Sequence, residues 1–410
     1  MKHLLFILDT FHPEYASTGQ IMTELARSLQ NDFRITVIVG IPKYGINSSN
    51  VYKGKNFYFE KFENISIVRV KTPKLNKMSK ISRFKFIVGH FLNAFRAVFK
   101  VNKPDLTFVI SQPPILGGVL GSLTKLFRGG KLIYNIQDFN PEQAATIGYN
   151  KSKLVTKVAR WVDNASIMSA DRVVVVGRDM KQQLFKRARI DESKVLVINN
   201  WIDEQIVKPH SKKHKDVKKY IDLYGLEGKL TFMYSGNIGL YYDLQNIIKI
   251  IGKFNKLENV LFVFVGGGAE LDQLKKYSRE NNLSNVKFFP YVAKEEVVYS
   301  LSAADIHFVT NHKGIKGISV PSKIYGIMAV GKPVLGIIET ESEVEMLIRD
   351  SGCGRVVEPQ DYDGIEKLIQ WYIDTVDDIE DMGSKGREYL EVHNRKVMSI
   401  EKYRNMLTEI

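Results

Sequence analysis

The residues best suited to chemistry gather in a few short stretches. Pro321, Ser322 and Lys323 open the most informative of them, SVPSKIYGIMAVGKPV, which runs from Ser319 to Val334. It reads as a loop, a short helix and a Gly-Lys-Pro turn into an apolar strand. Proline suits a first helical turn, and the first backbone N–H groups of a helix have no partner within it. An ammonium beside such a start makes an anion site suited to phosphate. The bland alternative is a helix that merely connects two strands. Tyr325, Met328 and Ala329 continue one face, and Gly331 ends the helix before Pro333.

Two glycine turns offer the same chemistry. The strand Leu230 to Tyr234 ends in SGNIGLYYDL, where Gly236 and Gly239 flank Asn237, and Leu261 to Val265 runs into Gly266, Gly267 and Gly268. Glycine before a helix lets backbone approach a phosphate or sugar closely. Leu240, Tyr241 and Tyr242 supply no cation after the first turn, so charge neutralisation falls to Lys323, Lys316 or Lys313. Carboxylates appear elsewhere. The strand Lys131 to Ile136 delivers QDFNPEQAA at its carboxyl end, where open α/β sheets hold ligands, so Asp138 and Glu142 are placed to orient or deprotonate a hydroxyl. Asp138 could equally cap the following helix. Nearer the start, Lys2 to Leu8 is followed by DTFHPEYASTGQ, with His12, Glu14 and Gly19, and then by an amphipathic helix from Ile21 to Leu29. A lone glycine is no dinucleotide fingerprint.

The Ser319–Val334 segment resembles the donor-site signature of family-4 glycosyltransferases of the GT-B fold. It is most similar to their bacterial surface-polysaccharide branch, which includes L-fucosamine transferases. The resemblance implies an α/β chain of two Rossmann-like, doubly wound parallel-sheet domains facing across a cleft. It also implies retaining transfer of a sugar from a UDP-sugar to a polyprenyl-diphosphate-linked acceptor, as in O-antigen or capsule assembly, the sugar being N-acetyl-L-fucosamine or another N-acetylated deoxyaminosugar. Carried onto this chain, Lys323, Asp138 and Glu142 are the catalytic candidates. Donor contacts fall to Gly19, Gly236, Asn237, Gly266, Gly267, Lys316, Pro321 and Ser322, with Tyr291 and Val292 near the base, while His12 and Glu14 lie on the acceptor side. Many members carry two glutamates with seven residues between them here. In this chain the second position falls at or near Gly326, and no glutamate lies between Lys313 and Val334. The ribose contact then passes to Glu343 or Tyr325.

The elements that must hold these residues fit such a frame. A chain of 410 residues with 44% hydrophobic content can bury two cores. The expected domains are residues 1–199 and 200–385, with NNWID marking the passage between them and residues 386–410 forming a helix that crosses back to the first. The single Cys353 excludes an intramolecular disulfide and suits a reducing cytoplasm. MKHLLFIL is too short in its apolar part for a secretory signal and reads as a first strand, and no apolar run is long enough to span a bilayer. No metal-spaced Cys or His cluster and no Walker loop occurs. Asp361-Tyr362-Asp363 is better read as a helix cap than as a metal motif, so no metal or other cofactor is expected.

A formal charge of +14 calls for an anionic partner. From Asn64 to Pro104 there is no acidic residue, and the aromatic run from Phe84 to Phe99 has helical spacing. Lys74, Lys77, Lys80, Arg83, Phe84 and Lys85 are the candidates for touching an anionic inner leaflet, which would place the chain peripherally on the cytoplasmic face. The later turns are expected to pack on the sheet. Two other readings share these features: a UDP-sugar 2-epimerase of the same fold, and a non-catalytic nucleotide-sugar or anion-binding protein. The charge follows no nucleic-acid motif, so no nucleic-acid partner is expected.

Overall fold

The computed structural model describes residues 1–14, 17–42, 52–73, 80–146, 148, 152–376 and 379–410. They form two compact units. The first comprises Met1–Gly177, Lys181–Asn199 and Ile400–Ile410, and the second Arg178–Met180 and Asn200–Ser399.

The first unit is built on an eight-stranded sheet. Its strands are β1 (His3–Ile7), β2 (Arg34–Gly40), β3 (Phe57–Phe62), β4 (Ile65–Val70), β5 (Leu106–Ile110), β6 (Lys131–Ile136), β7 (Arg172–Val175) and β8 (Val195–Val197). They lie in the order β3-β4-β2-β1-β5-β6-β7-β8, and every pairing is parallel except β3 with β4. Central strands such as HLLFI and LTFVI are buried along their whole length. This is why they read as continuous apolar runs rather than alternating ones. Phe57–Phe62 alternates half-buried and exposed side chains, as an edge strand does. Its own residue pattern does not mark it as a strand, and its pairing with β4 supplies the order.

The second unit holds β9 (Leu230–Asn237), β10 (Val260–Gly267), β11 (Val286–Phe289), β12 (Ile306–Thr310), β13 (Val334–Ile337) and β14 (Gly354–Val357). The order is β11-β10-β9-β12-β13-β14, parallel throughout. This is a doubly wound order, whose direction of winding reverses between β9 and β12. Helices cover both faces, and their ends follow local rules. Ser152 and Ser342 cap the helices Lys153–Ser169 and Glu343–Ser351 through their hydroxyls, and Gly225 and Gly352 close helices in the left-handed conformation. Asp361 accepts from the Gly364 N–H at 2.9 Å, the capping role that the sequence assigns to it. Among the described residues no helix is long and apolar enough to cross a membrane.

Lys74 and Lys77 lie outside the described residues, as do the side chains of Lys80, Arg83 and Phe84. Of the same group Lys85 is exposed, while Phe86, His90, Ala94, Ala97 and Val98 turn the helix Lys80–Val98 inward. Arg69, in the same stretch without acidic residues, is buried in the sheet. Its Nε meets Glu60 at 3.0 Å and its guanidinium donates to the His12 carbonyl.

Candidate functional site

The second unit brings its candidate residues together at the point where the sheet reverses. β9 ends at Gly236 and Asn237, and β10 runs beside it in register, Gly266 opposite Gly236 and Gly267 opposite Asn237. The two turns approach too closely for side chains. A Cβ on Gly266 would stand 1.9 Å from the Gly236 carbonyl oxygen, and one on Gly268 would stand 2.2 Å from that of Ile238. Both glycines also have φ near +150°, a conformation that other residues rarely adopt.

Against this cradle lies Lys323. Its ammonium sits 3.7 Å from the centroid of the Tyr234 ring and 4.5 Å from that of Tyr242. A Cβ on Gly236 would fall 3.8 Å from Lys323 Nζ. The amine is buried and has no hydrogen-bond partner among the described residues. Burial lowers its pKa to about 7, since desolvation penalises the charged form, while the two ring faces act in the opposite direction. Tyr234, buried in its turn, donates to the Asn237 carbonyl at 2.7 Å and fixes the turn. Opposite, the Tyr291 hydroxyl donates to the Gly267 carbonyl at 3.0 Å although its ring is largely exposed. Val292, half-buried, packs on the core.

The rest of the opening segment serves packing. Ile324, Tyr325, Gly326, Ile327, Met328 and Ala329 are all buried, so the helix Lys323–Ala329 is a core element whose first side chain reaches the Gly236 turn. Pro321 and Ser322 precede it and are half-buried. Lys316 is paired with Glu341 at 2.9 Å, and its N–H, with that of Gly314, is held by Glu339. Glu343 is buried and accepts from both the backbone N–H and the Nε of Arg178, at 2.6 and 3.1 Å. A further carboxylate, Glu270, is buried at the start of the helix Leu271–Glu280, which follows β10. Gln245 donates to one of its oxygens, the other has no hydrogen-bond partner among the described residues, and burial raises its pKa. The tyrosine pair does not stand out in the sequence, because only the folded sheet brings its rings against Lys323.

In the first unit the candidates separate into two kinds. Asp138 follows β6 and is half-buried, and the Ser111 hydroxyl accepts from its N–H at 3.3 Å. Glu142 instead belongs to a buried ionic cluster. It lies 2.8 Å from Arg160 Nε and 3.3 Å from Arg187 Nε, and Arg187 also meets Asp163 at 2.6 Å. The Tyr134 hydroxyl donates to Asp163 at 2.8 Å. His12 stacks on Phe62 with centroids 4.0 Å apart, and partial burial followed by Arg69 and Arg27 lowers its pKa. Glu14 is buried. Gly19 is needed for space, since a Cβ there would stand 2.9 Å from Thr10 Oγ1.

The second sheet thus carries glycine turns and a buried amine near the point where its winding reverses, an arrangement suited to an anion. Residues 18–206 match the model described as Glycosyltransferase Family 4, and residues 216–389 match Glycosyl transferases group 1, so the chain carries both domains of these enzymes. It is 29% identical to the probable glycosyltransferase WbjE of Pseudomonas aeruginosa over 81% of this chain and 82% of that one. It is 26% identical to the putative colanic acid biosynthesis glycosyl transferase WcaI of Escherichia coli over 65% of each. Among solved structures, Anabaena HepE in complex with UDP-glucose superposes over the whole of both chains with a TM-score of 0.72 at 14% identity, a likeness of fold.

Proposed function

We propose that this glycosyltransferase takes its sugar from a UDP-sugar and that Lys323 holds the donor's diphosphate. The observation that carries the reading is the Lys323 amine itself: buried, without a hydrogen-bond partner among the described residues, and turned onto two glycine turns that a side chain would block. A buried ammonium with nothing to neutralise it is unfavourable alone, and a diphosphate is the partner of matching charge. HepE, of similar fold, is known with UDP-glucose.

The acceptor is a polyprenyl-diphosphate-linked sugar met at the inner face of the membrane, and the product belongs to a surface polysaccharide such as O-antigen or capsule. The name of WcaI points the same way. The sugar transferred is of the N-acetylated deoxyaminosugar class, N-acetyl-L-fucosamine or a relative. The anomeric bond to the diphosphate breaks as the acceptor oxygen bonds to the same face of the sugar, so configuration is retained. Asp138 orients the acceptor hydroxyl. Lys323 and the Gly236 turn stabilise the charge that develops on the departing UDP, and the chemistry needs no metal ion. The test is UDP release measured with and without a lipid-linked acceptor. Acceptor-dependent release is expected. Isomerisation of the sugar without acceptor would identify an epimerase, and binding without turnover would leave a donor-binding protein.

A further inference from the structure

The helix Lys153–Ser169 turns two polar side chains, Asp163 and Ser166, inward and leaves a row of apolar ones in solvent. Asp163, Ser166 and Ile167 are its buried residues, and Asp163 pairs with Arg187 and Tyr134. Leu154, Val158, Trp161 and Met168 face solvent, with exposures of 71%, 52%, 71% and 54%. With the exposed Ala165 they recur at intervals of four, three, four and three residues, which is one continuous stripe along a helix. Scattered exposed hydrophobic side chains need no explanation, but a stripe of this length does.

The stripe continues onto neighbouring helices. Ser122 and Lys125 of the helix Leu116–Arg128 bond to Ser169, and beyond them Leu126 and Phe127 are 74% and 59% exposed. Phe127 in turn contacts Phe95 of the helix Lys80–Val98, with centroids 5.8 Å apart. The charge on this face is mainly basic, with Asp171 paired to Lys125 at 2.7 Å. The helices Lys80–Val98 and Leu116–Arg128 contain no acidic residue, and none lies between Glu142 and Asp163, which are themselves buried against arginines. Lys85, Arg96, Lys153 and Lys157 are exposed around it.

We propose that this three-helix face, led by the stripe from Leu154 to Met168, docks on an anionic lipid surface. Charge decides among occupants. A second copy of the chain would bring two basic faces together, whereas anionic headgroups complement the lysines while the headgroup region receives the aliphatic and indole side chains. Nucleic acid would satisfy the lysines but leave Leu154, Val158 and Trp161 in water. The inference shares with the proposed function only the membrane-held acceptor, and it moves the lipid contact from the lysines before Lys85 to the helix at Trp161.

Vesicle sedimentation tests it on the full chain, with phosphatidylglycerol-containing and pure phosphatidylcholine vesicles. The wild type is expected to sediment with the anionic vesicles, less so as salt rises, and not with the neutral ones. The exposed-site variant Leu154→Ser/Val158→Ser/Trp161→Ser is expected to lose about tenfold or more in partitioning, and Lys153→Glu/Lys157→Glu to weaken it similarly. Trp161 is the exposed one of the three tryptophans. Its emission should therefore shift to the blue on vesicles, and Trp161→Phe should bind yet lose the shift. Equal binding by the triple variant, no binding by the wild type, or a wild-type dimer that the triple variant converts to monomer would each overturn the proposal. A UDP-induced thermal shift, recorded on every variant, keeps the two readings apart. Its absence from the wild type counts against the donor site alone, and its persistence in a variant that no longer binds vesicles assigns the loss to this face.

Discussion

Between the faces of Tyr234 and Tyr242 the Lys323 amine is poised between two charge states. With its pKa lowered to about 7 by burial, it is largely neutral in the free protein at pH 8. A diphosphate favours the ammonium, so donor binding at pH 8 should draw in a proton. Calorimetry of UDP binding in buffers of different ionisation enthalpy is expected to show that uptake in the wild type and none in Lys323→Met; equal uptake in both would remove Lys323 from the site. The sign for stability follows from the same shift. The unfolded chain keeps this lysine protonated up to about pH 10.4, so between about pH 7 and that value it holds more protons than the folded chain. This group's contribution to stability therefore rises with pH across the window. Lys323→Ala should slow turnover by about a hundredfold, the scale of one preorganised contact to developing charge. The two carboxylates of QDFNPEQAA should part company. Glu142→Ala strips Arg187 and Arg160 of a buried partner and should cost about 3 kcal/mol of stability. Asp138→Asn should leave the melting temperature nearly unchanged and lower turnover. A Glu142 variant that kept its stability would contradict the ionic role given to it.

At the scale of elements, the paired glycine turns set what the site can tolerate. Gly266→Ala puts a methyl group 1.9 Å from the Gly236 oxygen at φ +146°, so it should lower the melting temperature and abolish UDP binding together. Gly326→Ala is the control. Its nearest neighbour would be Leu301 Cδ1 at 3.6 Å, an ordinary contact inside a helix, so stability should change by less than about 1 kcal/mol. A thermal melt of both variants with and without UDP checks the pair. Most elements here were legible in the sequence. Arg34–Gly40, Ile65–Val70, Lys131–Ile136 and Val286–Phe289 are apolar runs bounded by turn residues, and they are strands with those limits. Phe57–Phe62 was not legible, because an edge strand takes its order from its neighbour. Lys323 could be found from its place in the signature. The rings that enclose it could not, since Tyr234 reads as an ordinary strand residue and Tyr242 as part of a turn without cations.

For the whole molecule, each unit is assembled from segments far apart in sequence. Ile400–Ile410 belongs to the first unit, where Ile400, Tyr403, Met406 and Leu407 are buried and the Asn135 amide donates to the Tyr403 hydroxyl. At about 1.5–3 kcal/mol for each buried apolar side chain, removing the segment should destabilise the first unit by several kcal/mol. A chain ending at Ser399 should thus melt far earlier, whereas an unchanged melt would show that these contacts carry little. Arg178–Met180 groups with the second unit through Glu343 and through Asp179, which accepts from the Gly317 N–H at 2.9 Å. No local pattern announces that, since the partners lie more than a hundred residues downstream. The two-sheet α/β plan could be read from strand–helix alternation, but such crossings depend on tertiary contacts that leave no periodic trace. The donor's diphosphate is expected to meet the Lys323 amine, and a crystal structure with UDP bound tests this most directly. Phosphate oxygens within about 3 Å of Lys323 Nζ, beside the Gly236 turn, are the predicted result. A diphosphate bound elsewhere, with the amine still enclosed by Tyr234 and Tyr242 and touching no phosphate, would contradict it.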